Sequence, residues 1–533
     1  MLLNAALTTL CLIVVWHVVN WQHHADRVVA MFVVLTTSAC WFFVWLVVRS
    51  RIPARPRWAL VAAICGVAGL VAASVEIKGY TGDLVPIFGW RWAWMSGSGD
   101  EQFEPRQAKV DEEFDEARRP VDDIQFPVAP SWPRFLGENQ NGEVLDVRLD
   151  PDWQQRPPKQ LWRISIGEDA GFSSCVSAGG YFFTQQQDGD REKVLCYHVD
   201  SGTELWSYSY PARYESSLGG VGPRATPTLD DDQQRLYTLG ATGLLHCFDA
   251  WSGEKIWSRD VVDQFGAQVL KWGNSCSPLV VDNLVVVSTG AGRKGPSDGG
   301  DPFATLVAYD KQTGETIWSA GDDDAGYSSP ALMKLAGTTQ IVVFNAKTVT
   351  GHDSATGQIS WRYDWNVDRP SVAQPIALPG DGLLITKGYG EGARRLNISR
   401  DATGQWHAEE AWSEPRFLKT KFANSVIRGD HVFGISDGIL ECVEIRADGA
   451  RRNWKARGNY GHGQLLLVGD LLLIQCENGD VALVEANPKQ HVEVARMQAF
   501  DFRTWNSPIL LGNRLLIRND RQIACYELPT RDP

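Results

Sequence analysis

The stretch YDKQTGETIW, residues 309–318, sets an aromatic residue and an Asp ahead of a polar turn, with Gly314 and, four residues later, Trp318. The element recurs along the chain. CFDAWSGEKIW ends at Trp257 with Gly253 four before it, GHDSATGQISW at Trp361 with Gly357, and CYHVDSGTELW at Trp206 with Gly202. In the last of these, His198 stands where the others have Asp249, Asp310 and Asp353. SRDATGQWHAEEAW, to Trp412, and CVEIRADGARRNW, to Trp454, are looser copies, and VEANPKQHVEVAR keeps Glu485 but neither Gly nor Trp. Recurrence at 42–61 residue intervals is the mark of an array of small units such as a propeller.

A second marker counts the units. A short run of small residues, often with Pro in fourth place, opens each one: FSSCV at 172, RATPT at 224, SCSPL at 275, YSSPA at 327, VAQPI at 372, ANSVI at 423, HGQLL at 462 and WNSPI at 505. Between opener and Trp lie two apolar, β-branched or aromatic runs bounded by Gly, Asp or Asn, such as NLVVVSTG and ATLVAYD, which read as strands. Each unit is therefore a four-stranded meander, too small to bury both faces unless it stacks on its neighbours. The closing Trp is large and flat, carries one NH donor and suits the contact between units, so Trp162, Trp206, Trp257, Trp318, Trp361, Trp412 and Trp454 are assigned structural roles. The Gly before it supplies the backbone freedom of a tight turn. KQLWRISIG, 159–167, is a fourth strand without the first three, and RQIACYEL, 521–528, is a third without a fourth. Pairing them closes the ring and removes an open edge. The expectation is all-β: an eight-bladed propeller of four-stranded antiparallel blades over 124–533.

Ahead of it stand three apolar runs, residues 1–19 (helix from about 2), 28–48 and 58–75, each about the length that crosses a hydrocarbon core as helix. They predict a transmembrane anchor over 1–78. Arg49, Arg51, Arg55 and Arg57 lie between the second and third runs, against Arg27 alone in the first connection. The basic loop belongs in the cytoplasm, which places the N-terminus there and the propeller on the far side of the membrane. Trp90, Trp92 and Trp94 suit the interface. A juxtamembrane segment and acidic linker fill 79–123, and residues 100–123 are rich in charge and poor in apolar groups, as solvated tethers are.

The whole chain has a net charge of −13; residues 1–99 carry +4 and residues 100–533 carry −17, which opposes binding of nucleic acid. The ten cysteines include no CxxC and no adjacent pair, and seven remain outside the apolar runs; no disulfide framework is read. GDDDAG at 321 and SDGGDPF at 297 lack the alternating acid spacing of a Ca²⁺ loop, and no HExxH, P-loop, Rossmann or nucleophile-elbow motif occurs. No catalytic or metal residue is assigned. GYGEG and GNYGHG read as blade turns.

The turn-Gly-Trp element, clearest at 249–257, 310–318 and 353–361, resembles the pyrroloquinoline quinone (PQQ)-like propeller repeat over about residues 130–528. The layout, with WPRFLGENQNG, GPRATPTL, GYSSPAL and NYGHG, is similar to the membrane-anchored BamB-like propellers of planctomycete genomes, which implies a bacterial inner membrane with the propeller on its periplasmic side. The resemblance implies one of two functions. One is a binding scaffold for envelope proteins or an unknown small ligand, without a cofactor. The other is a PQQ-dependent quinoprotein dehydrogenase, with cofactor and Ca²⁺ in the funnel, an adjacent Cys–Cys pair over the quinone and a Trp beneath it; the adjacent pair is missing here. The scaffold is the expectation. Residues at or just before the openers, Phe172, Arg224, Asn274, Tyr327, Asn424, His462 and Trp505, are the candidate ligand-binding ring at one mouth of the funnel.

Overall fold

The computed structural model describes Thr8, Thr9, Cys11 and residues 24–48, 52–83, 85–90, 130–167, 169–216, 218–230, 232, 234–292, 303–458 and 460–531. The chain divides into two compact units, Met1–Glu104 and Pro105–Pro533.

In the first unit the second and third apolar runs are helices, His24–Val48 and Ala54–Ser74. Ala54–Ser74 is long and apolar enough to cross a membrane, whereas the apolar part of the other, Val33–Val48, is shorter. Most of the first run lies outside the described residues; among the described residues one helix of the expected three-helix anchor qualifies as a span. Pro53 precedes the second helix, a position where its missing NH costs nothing. The chain then turns directly into an antiparallel hairpin, Val75–Tyr80 with Pro86–Trp90, which the sequence reading missed. Trp92, Trp94 and the linker at 100–123 fall outside the described residues.

The described residues of the second unit build eight antiparallel blades, each started by one opener. Their strands span 176–211, 228–260, 279–320, 331–364, 376–414, 426–455 and 464–498 for blades 1 to 7. Blade 8 is made of Ile509–Leu511, Arg514–Arg518, Gln522–Glu527 and, from the other end of the domain, Lys159–Ser165. The closing strand pairs as expected, with Trp162 opposite Cys525 and Lys159 opposite Glu527.

Three repeated devices explain the sequence markers. The first is a hydrogen-bonded ring through the openers. Ser173 Oγ donates to Ala225 O (2.8 Å), Thr226 N to Ser277 Oγ (3.0 Å) and Ser277 N to Ser329 Oγ (2.9 Å). The side chains of Ser328 and Gln374 meet at 3.3 Å, Gln374 N donates to Asn424 Oδ1 (2.9 Å) and Asn424 N to Gln464 Oε1 (3.4 Å). Gln464 Nε2 then donates to Trp505 O (3.2 Å), and Asn506 Nδ2 to Ser173 O (2.7 Å). Every blade is tied to the next. Small polar side chains recur because the first strands converge there and their backbone groups must be satisfied away from water.

The second device is the Trp. The indole NH of Trp162 reaches Val199 O, that of Trp206 reaches Ala250 O, that of Trp257 reaches Lys311 O and that of Trp318 reaches Ser354 O, all in the turn of the following blade. Trp412 and Trp454 reach Arg446 O and Asn487 O likewise. Four of the buried cysteines, Cys196, Cys247, Cys442 and Cys525, face Trp206, Trp257, Trp454 and Trp162 across their own sheets. There they serve as small apolar residues, and all seven propeller cysteines are free and buried.

The third device is a register shift just before the Trp position in all eight blades, leaving Leu205, Ile256, Ile317, Ser360, Ala411, Asn453, Val494 and Leu161 bulged. A bulge twists the outer edge strand and blunts it against pairing with another chain.

Candidate functional site

The openers are equivalent positions around the ring, so the residues that precede them share one mouth of the bore. The other part of the bore is occupied by the protein itself. Trp132 pairs with Ser177 in blade 1, and Pro133 O accepts from Leu229 N in blade 2. Gln140 then bonds Pro330 O and Leu332 N in blade 4, each at 3.4 Å. Gly142 O accepts from Leu467 N, and Glu143–Val144 runs parallel to Leu467–Val468 in blade 7. Ser177, Leu229, Leu332 and Leu467 are each the sixth residue counted from the start of their opener. Residues 132–144 therefore form a strap that crosses the bore, satisfying backbone groups that the innermost strands turn toward it. Five extended residues span about 16 Å, which sets the strap well below the opener mouth.

That mouth is ringed by half-buried aromatic side chains with cations between them. Phe172 and Trp505 lie 5.0 Å apart between ring centroids, Trp505 and Phe422 also 5.0 Å, and Phe422 and His462 5.2 Å. The Arg503 guanidinium sits 4.4 Å from the centroid of Trp505 and 5.0 Å from that of Phe172. Arg224 lies 5.9 Å from Phe172 and 4.8 Å from Tyr214. Beside Arg224, Trp272 and Tyr327 pack with tilted rings 5.5 Å apart, Lys271 stands 5.2 Å over Trp272, and Lys421 stands 5.7 Å over Tyr389. Such cation–aromatic contacts gain strength as water is excluded.

The scaffold holds these groups firmly. Glu477 accepts from Trp505 Nε1 (2.8 Å) and from His462 N (3.1 Å). Arg224 clamps its own loop through Gly222 O, Gly219 O and Gly220 O. Arg503 pairs with buried Asp520 at 3.4 Å. Burial lowers Arg224 to about 10, with Tyr214 opposing the fall and the like charge of Arg503 adding to it. Burial lowers Arg503 as well, against Asp520. Burial raises Tyr327 to about 12.

Of the seven candidate residues, Phe172, Arg224, Tyr327, His462 and Trp505 stand in or directly against this cluster. Asn424 is a buried link of the interblade ring. Asn274 is buried and its amide bonds Leu270 N and Thr289 O, each at 3.4 Å. Sequence reading missed Tyr214, Trp272, Tyr389, Lys421, Phe422 and Arg503. Four of these sit one to three residues before an opener, which is the signal that could have found them. Tyr389 belongs to the GYGEG turn and holds a left-handed φ of 60°.

Among the described residues no three His, Cys, Asp or Glu side chains gather as a metal-holding group. The acids of GDDDAG are engaged within the fold. Asp322 pairs with Arg362, Asp323 accepts from Lys347 N and Thr348 Oγ1, and Asp324 accepts from Gly292 N. The quinone geometry implied by the resemblance stacks the cofactor between an adjacent Cys pair and an open Trp face. Here the cysteines are single, and Trp505 carries Arg503 on its face with Phe172 and Phe422 alongside. These residues do not fit that arrangement.

No curated protein matches the chain. Among solved structures, a europium-containing methanol dehydrogenase matches at 11% identity and TM-score 0.54, over 75% of this chain and 98% of that one. The quinohemoprotein alcohol dehydrogenase of Comamonas testosteroni matches at 11% identity and TM-score 0.55, over 76% and 81%. BamB of Moraxella catarrhalis matches at 16% identity and TM-score 0.48, over 70% and 99%. At such identities the two dehydrogenase likenesses speak to fold alone. Residues 220–378 and 300–492 match the family model described as outer membrane protein assembly factor BamB, and since the two segments together span more than half of the chain, this protein belongs to that family of PQQ-like repeat propellers.

Proposed function

We propose that this protein is a membrane-tethered, extracytoplasmic binding platform, with a non-catalytic propeller that engages envelope proteins or an envelope ligand through the opener mouth. The observation that carries the reading is the cluster of Trp505, Phe172, Phe422, Arg224 and Arg503 at the end of the bore away from the strap. Trp, Tyr and Arg are the side chains that dominate binding energy at interfaces. Membership of a family described as an assembly factor supports protein partners. The tether is the set of apolar runs 1–19, 28–48 and 58–75, crossing the inner membrane with the Arg49–Arg57 loop in the cytoplasm, and the apolar helix Ala54–Ser74 supports it. Tethering raises the local concentration of the platform near its partners.

Two experiments test this. The full-length protein in detergent is mixed with PQQ and Ca²⁺, and binding is followed by calorimetry alongside dye-linked alcohol or sugar oxidation. Turnover that disappears in Trp505→Ala would replace the platform with a quinoprotein dehydrogenase. For the topology, a reporter is fused after Pro533. Activity of a cytoplasm-only reporter there would overturn the periplasmic placement.

A further inference from the structure

We infer that the hairpin of Val75–Tyr80 with Pro86–Trp90 lies on the lipid surface where the helix Ala54–Ser74 ends, with one face set into the boundary between headgroups and acyl chains. This rests on the membrane tether of the platform reading and goes beyond it, because it gives the hairpin a partner, the bilayer. The first observation is register. Trp90, Phe88 and Pro86 alternate along one strand and so share a face. Their partners are Val75, Ile77 and Tyr80, and residues opposite one another in a ladder face the same side. All six positions are apolar or aromatic. The register shift between Ile77 and Gly79 makes this possible. Strict alternation would put Gly79 on that face, and the extra residue, Lys78, brings Tyr80 into phase instead. The other face holds Glu76, Gly79, Ile87 and Gly89. The second observation is exposure. Phe88 is 61% exposed, and Val85 in the turn is 38% exposed. A two-stranded hairpin is marginal in water by itself, and this one turns its aromatic face outward. The third observation is continuity. No linker separates helix from hairpin: Val75 caps the helix, its N–H reaching Val71 O, and is already extended. The 21 residues of that helix rise about 31 Å, close to the thickness of a hydrocarbon core. A helix that fills the core therefore delivers Val75 to its boundary, which is where aromatic rings settle in membranes.

The test uses the full-length protein in liposomes of phosphatidylcholine and phosphatidylglycerol, with Cys11, Cys40 and Cys65 changed to Ala. The seven propeller cysteines are buried and take no label. Nitroxides are placed one at a time through Phe88→Cys, Tyr80→Cys, Glu76→Cys and Val67→Cys. Their collisions are measured with oxygen, which concentrates in lipid, and with a water-soluble nickel chelate. Val67 lies within the helix, 65% exposed, and reads the tether alone. Labels at Phe88 and Tyr80 are expected to favour oxygen as the Val67 label does. They should meet the chelate about tenfold less often than the label at Glu76, the bias expected of a buried aromatic face. If the chelate reaches Phe88 and Tyr80 as freely as Glu76, the face stands in water and the inference is overturned. Exclusion of both reagents there overturns it too, since protein then covers the face, whether the propeller or a second copy of the chain. Disagreement between Phe88 and Tyr80 has the same consequence, because one face is argued to carry both. In each of these cases an oxygen-rich Val67 label leaves the tether standing, whereas chelate at Val67 ends the tether and the inference with it.

Discussion

Asn506 Nδ2 donates to the carbonyl of Ser173 at 2.7 Å, joining blade 8 to blade 1 across 333 residues of sequence. Both residues are buried, and the bond closes the polar ring between the last opener and the first. Asn506→Ala leaves that carbonyl buried without its donor, which costs about 1–3 kcal/mol. Thermal unfolding should shift down accordingly. A Ser177→Ala change, four residues along from Ser173, should matter less because its hydroxyl serves the local Tyr181 carbonyl. An unchanged melting temperature for Asn506→Ala would mean that the seam is held by the Lys159–Ser165 strand alone.

The turn glycines have a second duty that the sequence motif hides. A Cβ built on Gly202 would fall 2.8 Å from Trp162, on Gly253 2.6 Å from Trp206, and on Gly314 2.7 Å from Trp257. Each glycine thus makes room for the Trp of the preceding blade, not for the Trp four residues after it. Gly253→Ala meets both that ring and a φ of +74°, and a destabilisation of about 1–3 kcal/mol is expected from overpacking. Gly449, whose built Cβ meets nothing within 4 Å, is the control, and Gly449→Ala should be near neutral. Chemical denaturation of the two variants checks this; equal midpoints would remove the packing account.

The same relation shows what could be read from sequence and what could not. Blade count, closure by 159–167 and the structural role of the Trp residues followed from local repetition, because each blade solves the same packing problem. The absence of a Trp in blade 7 did not look meaningful. In the structure Ala495 takes that place, and the following blade has no turn to cover, because its third and fourth strands come from opposite ends of the domain. Trp361 departs for a related reason. The hairpin of blade 5 extends to nine residues per strand, and the Trp361 indole instead bonds Gln340 in its own blade at 2.7 Å. The mouth was only half legible. Opener positions are fixed by the repeat, but Arg503, Phe422 and Trp272 come from the connecting loops, which follow no repeat. The strap has no periodicity, so nothing in the repeat pattern places it across the bore.

Lys387 is fully buried between Phe344, 4.9 Å away, and Trp365, 5.2 Å away, with one contact to Ala346 O at 3.4 Å. Burial lowers it from 10.5 to about 8, with Glu391 opposing the fall and Arg394 adding to it. Above pH 8 the folded protein has shed this proton while the unfolded chain keeps it up to about pH 10.5. The unfolded state then binds more protons, so this group makes stability rise with pH between those values and adds nothing to the slope below pH 8. The full span is on the order of 3 kcal/mol. Lys387→Met should flatten that limb of the stability–pH curve and raise stability at pH 7. A variant with the parent's slope between pH 8 and 10 would show that another group is responsible.

The strap makes the most local prediction. Ser177 N donates to Trp132 O at 2.9 Å, Leu229 N to Pro133 O at 2.8 Å and Leu467 N to Gly142 O at 2.9 Å. These amides belong to innermost strands, whose other edges are already paired within the blades. Deleting residues 130–144 leaves the closing strand Lys159–Ser165 in place, so the ring should still form. The three amides would then face a solvent-filled bore. Hydrogen exchange at these positions should accelerate by about tenfold or more, since exchange reports local opening free energy. Amides of central strands, such as Val342 N in blade 4, paired with Gly351, should keep their protection. Unchanged exchange at Ser177, Leu229 and Leu467 would mean that the strap does not hold the inner edge, and the floor beneath the opener mouth would have to be sought elsewhere.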